Sequence, residues 1–211
     1  MTHFRTHIKS LALVAGFAFF LPNEGFGQTI NWGNPTPGYE NYQSDGSSFW
    51  DTGFHFEFGV FEDPFDPELN PPNLWADKWI TLDTATYNAG AGVFADSWIP
   101  SNNDYMDQQG YIFVYNNMTA DETTEWFLAT NPSWVIPASG QGQAGMKLDW
   151  IVSQVTRVLF GQTPGETGDG IEGGSPPAGY ELQSFTFVPE PSTTLLFGGL
   201  IGAFFLRRTK D

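Results

Sequence analysis

The stretch FHFEFGVF, Phe54–Phe61, constrains the fold more than any other part of the chain. Its apolar residues alternate with polar residues or glycine. This two-residue period is typical of a β-strand with one buried face. The buried face would carry Phe54, Phe56, Phe58 and Val60, and the opposite face His55, Glu57 and Gly59. Because no segment of the central part of the chain sustains a helical period, the sequence predicts a β-rich protein.

Aromatic and β-branched runs separated by turn formers predict further strands. They are Lys78–Asp83, Gly92–Trp98, Gly110–Tyr115, Thr124–Ala129, Ser133–Ile136, Lys147–Ser153, Val155–Phe160 and Tyr180–Val188. Eight or nine short strands indicate an all-β fold, an antiparallel β-sandwich or a jelly roll. Three segments are expected to be loops: Glu62–Asn73, Ala138–Gly145 and Gly161–Gly179. The last has seven glycines and is interpreted as a long loop or a mobile excursion.

The chain has no cysteine, although all eight tryptophans and all seven tyrosines lie between residues 28 and 191. A disulfide framework is therefore excluded, as are thiol catalysis and cysteine-ligated zinc or iron–sulfur sites. The aromatic side chains provide enough apolar area for a core without such cross-links.

The N-terminal residues 1–27 have the three parts of a secretory signal peptide. Arg5 and Lys9 precede the apolar run Leu11–Leu21, and the small-x-small triplet Gly25–Gly27 follows it. We expect delivery by the Sec machinery and cleavage by signal peptidase before Gln28. The alternative is an uncleaved anchor, but eleven residues of helix span only about 16 Å, against a hydrocarbon core of about 30 Å.

Charge separates the ends of the chain from its body. Between Gln28 and Pro191 there are three Lys and Arg residues against 22 Asp and Glu, a formal net charge of −19. A body this acidic is repelled by phosphate backbones and by anionic lipid headgroups. Nucleic-acid binding is therefore excluded.

The C-terminus carries a short apolar segment followed by basic residues. Leu195–Leu206 is an uninterrupted run of twelve apolar or glycine residues, and Arg207, Arg208 and Lys210 follow it. This run is short for a permanent membrane anchor, which needs about 20 residues. The basic residues predict a short transmembrane helix whose tail stays cytoplasmic while the body lies outside.

The sequence VPEPST, the apolar run and the Arg pair together resemble the PEP-CTERM sorting signal of Gram-negative bacteria. The resemblance implies that Pro189, Glu190 and Pro191 form a motif recognised by an exosortase, a membrane enzyme that processes such proteins. It also implies a transient inner-membrane intermediate and a final location at the cell surface or outside the cell. The expected organisation is a signal peptide (1–27), a β-rich ectodomain (28–187) and a sorting signal (188–211). A plain tail anchor is the alternative.

Two segments of the body, Phe54–Asp83 and Gly110–Pro137, are similar to segments of PEP-CTERM proteins from Verrucomicrobia-like bacteria. This second resemblance implies a shared β-rich ectodomain and no particular activity.

Candidate catalytic residues are few. His55 is the only histidine of the body, and it is expected to be a solvated strand residue rather than a base. A Ser–His–Asp triad would have to use it, and no Gly-x-Ser-x-Gly elbow is present. A glycosidase needs two carboxyl groups about 5 to 9 Å apart, and the sequence nominates no pair among 22 acids. We therefore expect no catalysis.

Two kinds of binding remain open on sequence grounds. Oxygen-rich loops offer hard ligands for calcium, with Asp63, Asp66 and Glu68 as candidates; residues 102–107 and 169–172 are similar loops. Aromatic side chains in or near turns are candidates for stacking on sugar rings, although most tryptophans of such a fold belong to its core. These candidates are Trp32, Trp50, Trp75, Trp79 and Trp98.

The sequence thus predicts an exported surface or extracellular-matrix protein that contacts exopolysaccharide weakly. The alternative is a secreted carbohydrate-active enzyme or a glycan-binding module.

Overall fold

The computed structural model describes residues 28–38, 40–139 and 146–187. The predicted signal peptide (1–27) and the predicted sorting signal (188–211), with Pro189, Glu190, Pro191, Arg207, Arg208 and Lys210, lie outside the described residues. The strands are β1 (Thr29–Asn34), β2 (Glu40–Tyr42), β3 (His55–Phe61), β4 (Trp79–Ala85), β5 (Phe94–Trp98), β6 (Tyr111–Tyr115), β7 (Glu125–Thr130), β8 (Lys147–Ile151), β9 (Arg157–Phe160), β10 (Tyr180–Gln183) and β11 (Phe185–Thr186). One α-helical turn, α1 (Trp75–Lys78), precedes β4.

The larger sheet is built around β3, β6 and β7. Its order is β11-β7-β6-β3-β4, and all of these neighbours are antiparallel. Strand β9 also pairs with β7, beside β11, so that the two short strands share one edge of β7. All residues of β6 and β7 are buried, which places these strands at the centre of the molecule.

A three-stranded sheet has the order β5-β1-β8 and packs on one face of the larger sheet, and β2 and β10 form a separate two-stranded sheet. Phe58 of β3 lies 5.8 Å from the Trp32 ring, 5.8 Å from Trp98 and 5.4 Å from Trp150. These three tryptophans come from β1, β5 and β8, so one phenylalanine contacts every strand of the opposite sheet. The predicted β-sandwich is therefore confirmed, and its inner face is the predicted one, because Phe54, Phe56, Phe58 and Val60 all belong to this core.

The outer face of the larger sheet is buried as well. Trp75 of α1 stacks on Trp126 of β7 at 6.3 Å and 15°. Phe113, Trp126 and Leu128 are fully buried on this face, in a second aromatic cluster that also contains Phe160 and Phe187. The segment between β3 and β4, which includes the predicted loop Glu62–Asn73 and α1, thus covers this face of the sheet.

Several local predictions were wrong. Ser133–Ile136 forms no strand and contributes only an isolated bridge between Gln109 and Val135. Strands β1 and β2 were missed because each pairs with a distant segment: β1 runs parallel to β8, and β2 parallel to β10. Short polar stretches such as Glu40–Tyr42 become strands only when a partner lies beside them.

The glycine-rich segment Gly161–Gly179 has no regular strand, as predicted, but it is tied to the body at several points. Bridges join Gln162 to Gln183 and Ile171 to Thr186. The N–H groups of Gly173 and Gly174 both donate to the Ser44 carbonyl, at 2.8 and 2.9 Å. These bonds oppose the interpretation of the segment as a mobile excursion.

Among the residues that the structure describes, no helix is both long enough and apolar enough to cross a membrane.

Candidate functional site: the sorting junction and the groups of the body

The folded body extends up to the first residue of the predicted sorting segment. Strand β11 pairs with the beginning of β7, with Phe185 opposite Trp126 and Thr186 opposite Glu125. The next residue, Phe187, donates its N–H to the Thr124 carbonyl at 3.1 Å. Its ring is 9% exposed and lies 5.9 Å from Trp126. Phe187 is therefore a core residue, and in the sequence only Val188 separates it from Pro189.

The loop that precedes β7 is held close to this junction. Thr124 is buried, and its hydroxyl accepts the Asp121 N–H at 3.2 Å and donates to the Thr119 carbonyl. Hydrogen bonds from the Thr123 hydroxyl and N–H lower the pKa of Asp121, so this carboxylate stays charged. Phe187 thus lies beside a hydrogen-bonded loop that carries the negative charge of Asp121.

His55 lies at the start of β3 and is exposed on the side of the sheet opposite the sandwich core. Its ring stacks on Tyr115 at 5.1 Å and 18°. The prediction of a solvent-exposed strand residue is confirmed. In this position the imidazole is an aromatic neighbour of Tyr115.

Two glutamates are buried in the larger sheet. Glu57 accepts hydrogen bonds from Trp79 Nε1 at 2.7 Å, the Thr81 hydroxyl at 2.6 Å and the Tyr115 hydroxyl at 2.6 Å. Burial, and secondarily this bond to Glu57, raise the pKa of Tyr115. A three-donor environment of this kind stabilises a buried carboxylate without a cation.

Glu125, the second buried glutamate, is held in a similar way. It accepts bonds from the Ser44 hydroxyl at 2.5 Å, the Ser44 N–H at 2.9 Å and the Ser184 hydroxyl at 2.7 Å. Glu125 alternates with Trp126 and therefore lies on the face of Phe127, whereas Glu57 lies on the face of Phe113. The two buried carboxylates are on opposite faces of the sheet and do not form a catalytic pair.

The predicted calcium ligands are engaged elsewhere. Asp66 accepts the Glu68 N–H at 2.9 Å in a local turn, and Glu68 forms an ion pair with Arg157. Asp63 lines a cavity with Asp107. Within residues 28–38, 40–139 and 146–187, no group of three or more acidic or histidine side chains has a geometry that could hold a metal ion. Calcium binding therefore remains a prediction, and the described residues do not provide a set of ligands for it.

The predicted aromatic platforms are mostly internal. Trp32, Trp50 and Trp75 are each 1% exposed and belong to the two cores, so these three candidates cannot stack on sugars and the alternative, that they fill the core, is confirmed. Trp79 and Trp98 are half-buried. Phe49 is 52% exposed, and sequence reasoning missed it. Its sequence signal was weak: a single aromatic residue after the turn Asp45–Ser48 and directly before the buried Trp50.

Phe49 lies at one side of a groove of about 420 Å³. The ring of Phe49 packs on Tyr42 at 4.8 Å, and Tyr42 donates its hydroxyl to Glu40. This hydrogen bond, with burial, raises the pKa of Tyr42 to about 12. The other side of the groove is the glycine-rich turn between β4 and β5, where Asn88 N–H donates to the Val93 carbonyl at 2.8 Å.

Comparisons with known proteins bear on the C-terminal segment. A family model described as the PEP-CTERM protein-sorting motif matches residues 187–208. A search of curated proteins and a search of solved structures found no match to the chain, and nothing in them bears on the resemblance of the body to Verrucomicrobia-type proteins. The match begins at Phe187, the residue at which the described body ends. The chain therefore carries a PEP-CTERM sorting motif, and the first matched residue, Phe187, is also the last core residue among those that the structure describes.

Proposed function

We propose that this protein is a non-catalytic surface or extracellular-matrix protein that an exosortase processes and that associates with exopolysaccharide. The observation that carries the proposal is the sorting motif at residues 187–208, which implies export and processing by that enzyme. In this proposal the Sec machinery and signal peptidase remove residues 1–27. The apolar run with Arg207, Arg208 and Lys210 then holds an inner-membrane intermediate until it is cut.

The junction limits where the cut can be made. Because Phe187 is packed on Trp126 and bonded to Thr124, cleavage before it would uncover the outer aromatic cluster. We therefore place cleavage on the C-terminal side of Phe187, at or after Pro189–Pro191. An extended chain spans at most about 3.5 Å per residue, so residues 188–194 separate the body from the apolar run by at most about 25 Å. The enzyme would meet the folded body almost directly beside its target.

The packing of the body supports a structural role. Both faces of the larger sheet are filled with aromatic side chains, and the two buried carboxylates are separated by that sheet. The acidic surface would contact polysaccharide weakly, and divalent cations would bridge it to acidic polymers.

A carbohydrate-active enzyme is the second candidate, and one observation favours it. Glu166 and Glu181 line the same cavity, of about 400 Å³, and burial raises the pKa of Glu181. Two carboxyl groups that face one cavity, of which one has a raised pKa, are the kind of pair that glycoside hydrolysis uses. Hydrolysis of any oligosaccharide that is lost in Glu181→Gln would favour this candidate over the structural role.

The processing step is tested by intact mass spectrometry of the protein released from exosortase-containing cells. We expect a released form that contains Phe187 and lacks residues 195–206. The Glu190→Ala variant should stay with the membrane fraction, while Glu122→Ala, which changes an exposed acid of the body, should be released normally. A released form that keeps residues 195–206, or normal release of Glu190→Ala, would refute the proposal.

A further inference from the structure

The groove beside Phe49 has one aromatic wall and one wall of small residues. Phe49, Trp50 and Tyr87 form the first wall, and residues 89–92, two alanines and two glycines, form the second. Tyr42 packs on the Phe49 ring. Asn88–Val93 hydrogen bonds hold this turn, and Gly38 N–H donates to the Ala91 carbonyl at 3.2 Å. The groove volume of about 420 Å³ lies within the roughly 300 to 1,000 Å³ typical of small-ligand sites.

The small-residue wall leaves space above it. A Cβ added at Gly90 would meet only Asn88 Oδ1, at 3.5 Å, and one added at Gly38 would meet no atom within 4 Å. The groove is thus open because residues 89–92 have small side chains or none. Any larger side chain at position 90 would reduce the space without distorting the backbone.

The polar groups of the groove are mainly acceptors. Glu40 is exposed; its Oε2 receives the Tyr42 hydroxyl, and its other oxygen is available. Asn41 is fully buried at the floor, where its Nδ2 donates to the Gly92 carbonyl at 2.9 Å. Its Oδ1 has no hydrogen-bond partner among the described residues. A ligand for this groove should therefore donate hydrogen bonds.

The charge of the groove excludes anionic ligands. No Lys or Arg lines it, whereas Glu40 does. Two of the three basic residues of the body are engaged in distant ion pairs, Lys78 with Glu62 and Arg157 with Glu68. A purely apolar ligand is also disfavoured, since it would remove water from the Glu40 carboxylate without replacing its hydrogen bonds.

We infer that this groove binds a neutral sugar residue, whose ring lies on the exposed face of Phe49 and whose hydroxyl groups donate to Glu40. The aromatic face carries partial negative charge and attracts the weakly positive C–H groups of a sugar ring. The hydroxyl groups of a sugar supply donors for Glu40, and they can also bond to the hydroxyl of Tyr87, which lines the groove. This inference rests on the proposed association with exopolysaccharide and names the site of contact.

The test uses the released protein and saturation-transfer difference NMR with four probes. They are cellotriose, maltotriose, triacetylchitotriose and the acidic trigalacturonic acid. We expect at least one neutral trisaccharide to bind, and the acidic one to bind more weakly than it. Phe49→Ala and Gly90→Leu should each weaken binding about tenfold or more, which is about 1.4 kcal/mol.

Two further variants serve as controls. Phe49→Tyr keeps an aromatic face and should retain binding, and Leu69→Ala, at an 82% exposed position outside the groove, should leave binding unchanged. Melting temperatures show whether each variant is folded, and Gly90→Leu provides the answer if Phe49→Ala is not. The inference is wrong if no neutral trisaccharide binds, if both groove variants bind as the parent does, or if the acidic probe binds equally well.

The assignment of the groove and the proposed association with exopolysaccharide can be tested separately. Co-fractionation of the released protein with the cell's own exopolysaccharide measures the association itself. If the groove variants still co-fractionate, the association stands and the assignment of the groove fails. If sugars bind the groove but the protein does not co-fractionate, the groove stands and the association fails.

Discussion

At the scale of single residues, buried polar groups help to determine how the side chains of the body pack. Glu57 lies on a face whose other members are aromatic, and its carboxylate satisfies donors from Trp79, Thr81 and Tyr115. The alternation of β3 predicted that Glu57 would be on the face opposite the sandwich core. It did not predict that Glu57 is buried, because the side chains that contact it come from the neighbouring strands β4 and β6.

We expect Glu57→Ala to lower the free energy of unfolding by about 3 kcal/mol, because buried donors lose their acceptor. Urea denaturation of the released protein measures this change. Glu122→Ala removes an exposed acid and should change stability by less than about 0.5 kcal/mol. If Glu57→Ala changed the free energy of unfolding as little as Glu122→Ala, the hydrogen bonds of Glu57 would contribute little to stability.

At the scale of elements, the segment between β9 and β10 shows how a glycine-rich sequence becomes an ordered loop. Gly170 has a φ of 103°, and its Cα lies so close to the core that an added Cβ would be 2.6 Å from both Phe160 and Phe185. Gly165, in the same segment, has open space around it. Both positions are glycines of the same glycine-rich segment, and only the packing around them differs.

This difference predicts opposite results for two identical substitutions. Gly170→Ala should destabilise the protein by about 2 to 4 kcal/mol, through an unfavourable φ and overpacking. Gly165→Ala should be neutral or slightly stabilising, since it restricts the unfolded chain. Thermal unfolding of both variants decides between an ordered loop and a mobile one, for which both substitutions would be neutral.

At the scale of the whole molecule, the body combines a large negative charge with buried tyrosines. Burial raises the pKa of Tyr111 and Tyr115, and a hydrogen bond to Glu40 raises that of Tyr42 to about 12. In the unfolded chain these hydroxyls ionise near pH 10. Their contribution to stability is therefore complete below pH 10 and is lost as the pH rises through the folded-state values.

We expect the melting temperature to fall steeply above pH 10, where new tyrosinate charges add to a body that already carries −19. Tyr115→Phe should be less stable at pH 8, because its bond to Glu57 is lost, but should show a shallower decline between pH 10 and pH 12. Melting curves at half-unit pH intervals measure both slopes. Parallel curves for the two proteins would exclude a contribution from Tyr115.

The sequence by itself determined the class of fold, the inner face of β3 and the sorting segment. These features depend on local patterns: a two-residue alternation, turn formers, and a motif whose parts are adjacent in the chain. Each of these patterns involves residues that are close in the sequence. They can therefore be recognised without knowing how distant segments of the chain pack.

Tertiary structure decided which polar and aromatic groups are buried. Trp32, Trp50 and Trp75 are covered by distant strands, whereas Phe49, the residue before Trp50 in the sequence, remains exposed. Strands β1 and β2 exist because segments more than 100 residues away lie parallel to them. Burial and strand pairing are properties of contacts between distant segments, and for that reason the candidate sugar groove and the ordered sorting junction became visible only in the folded molecule.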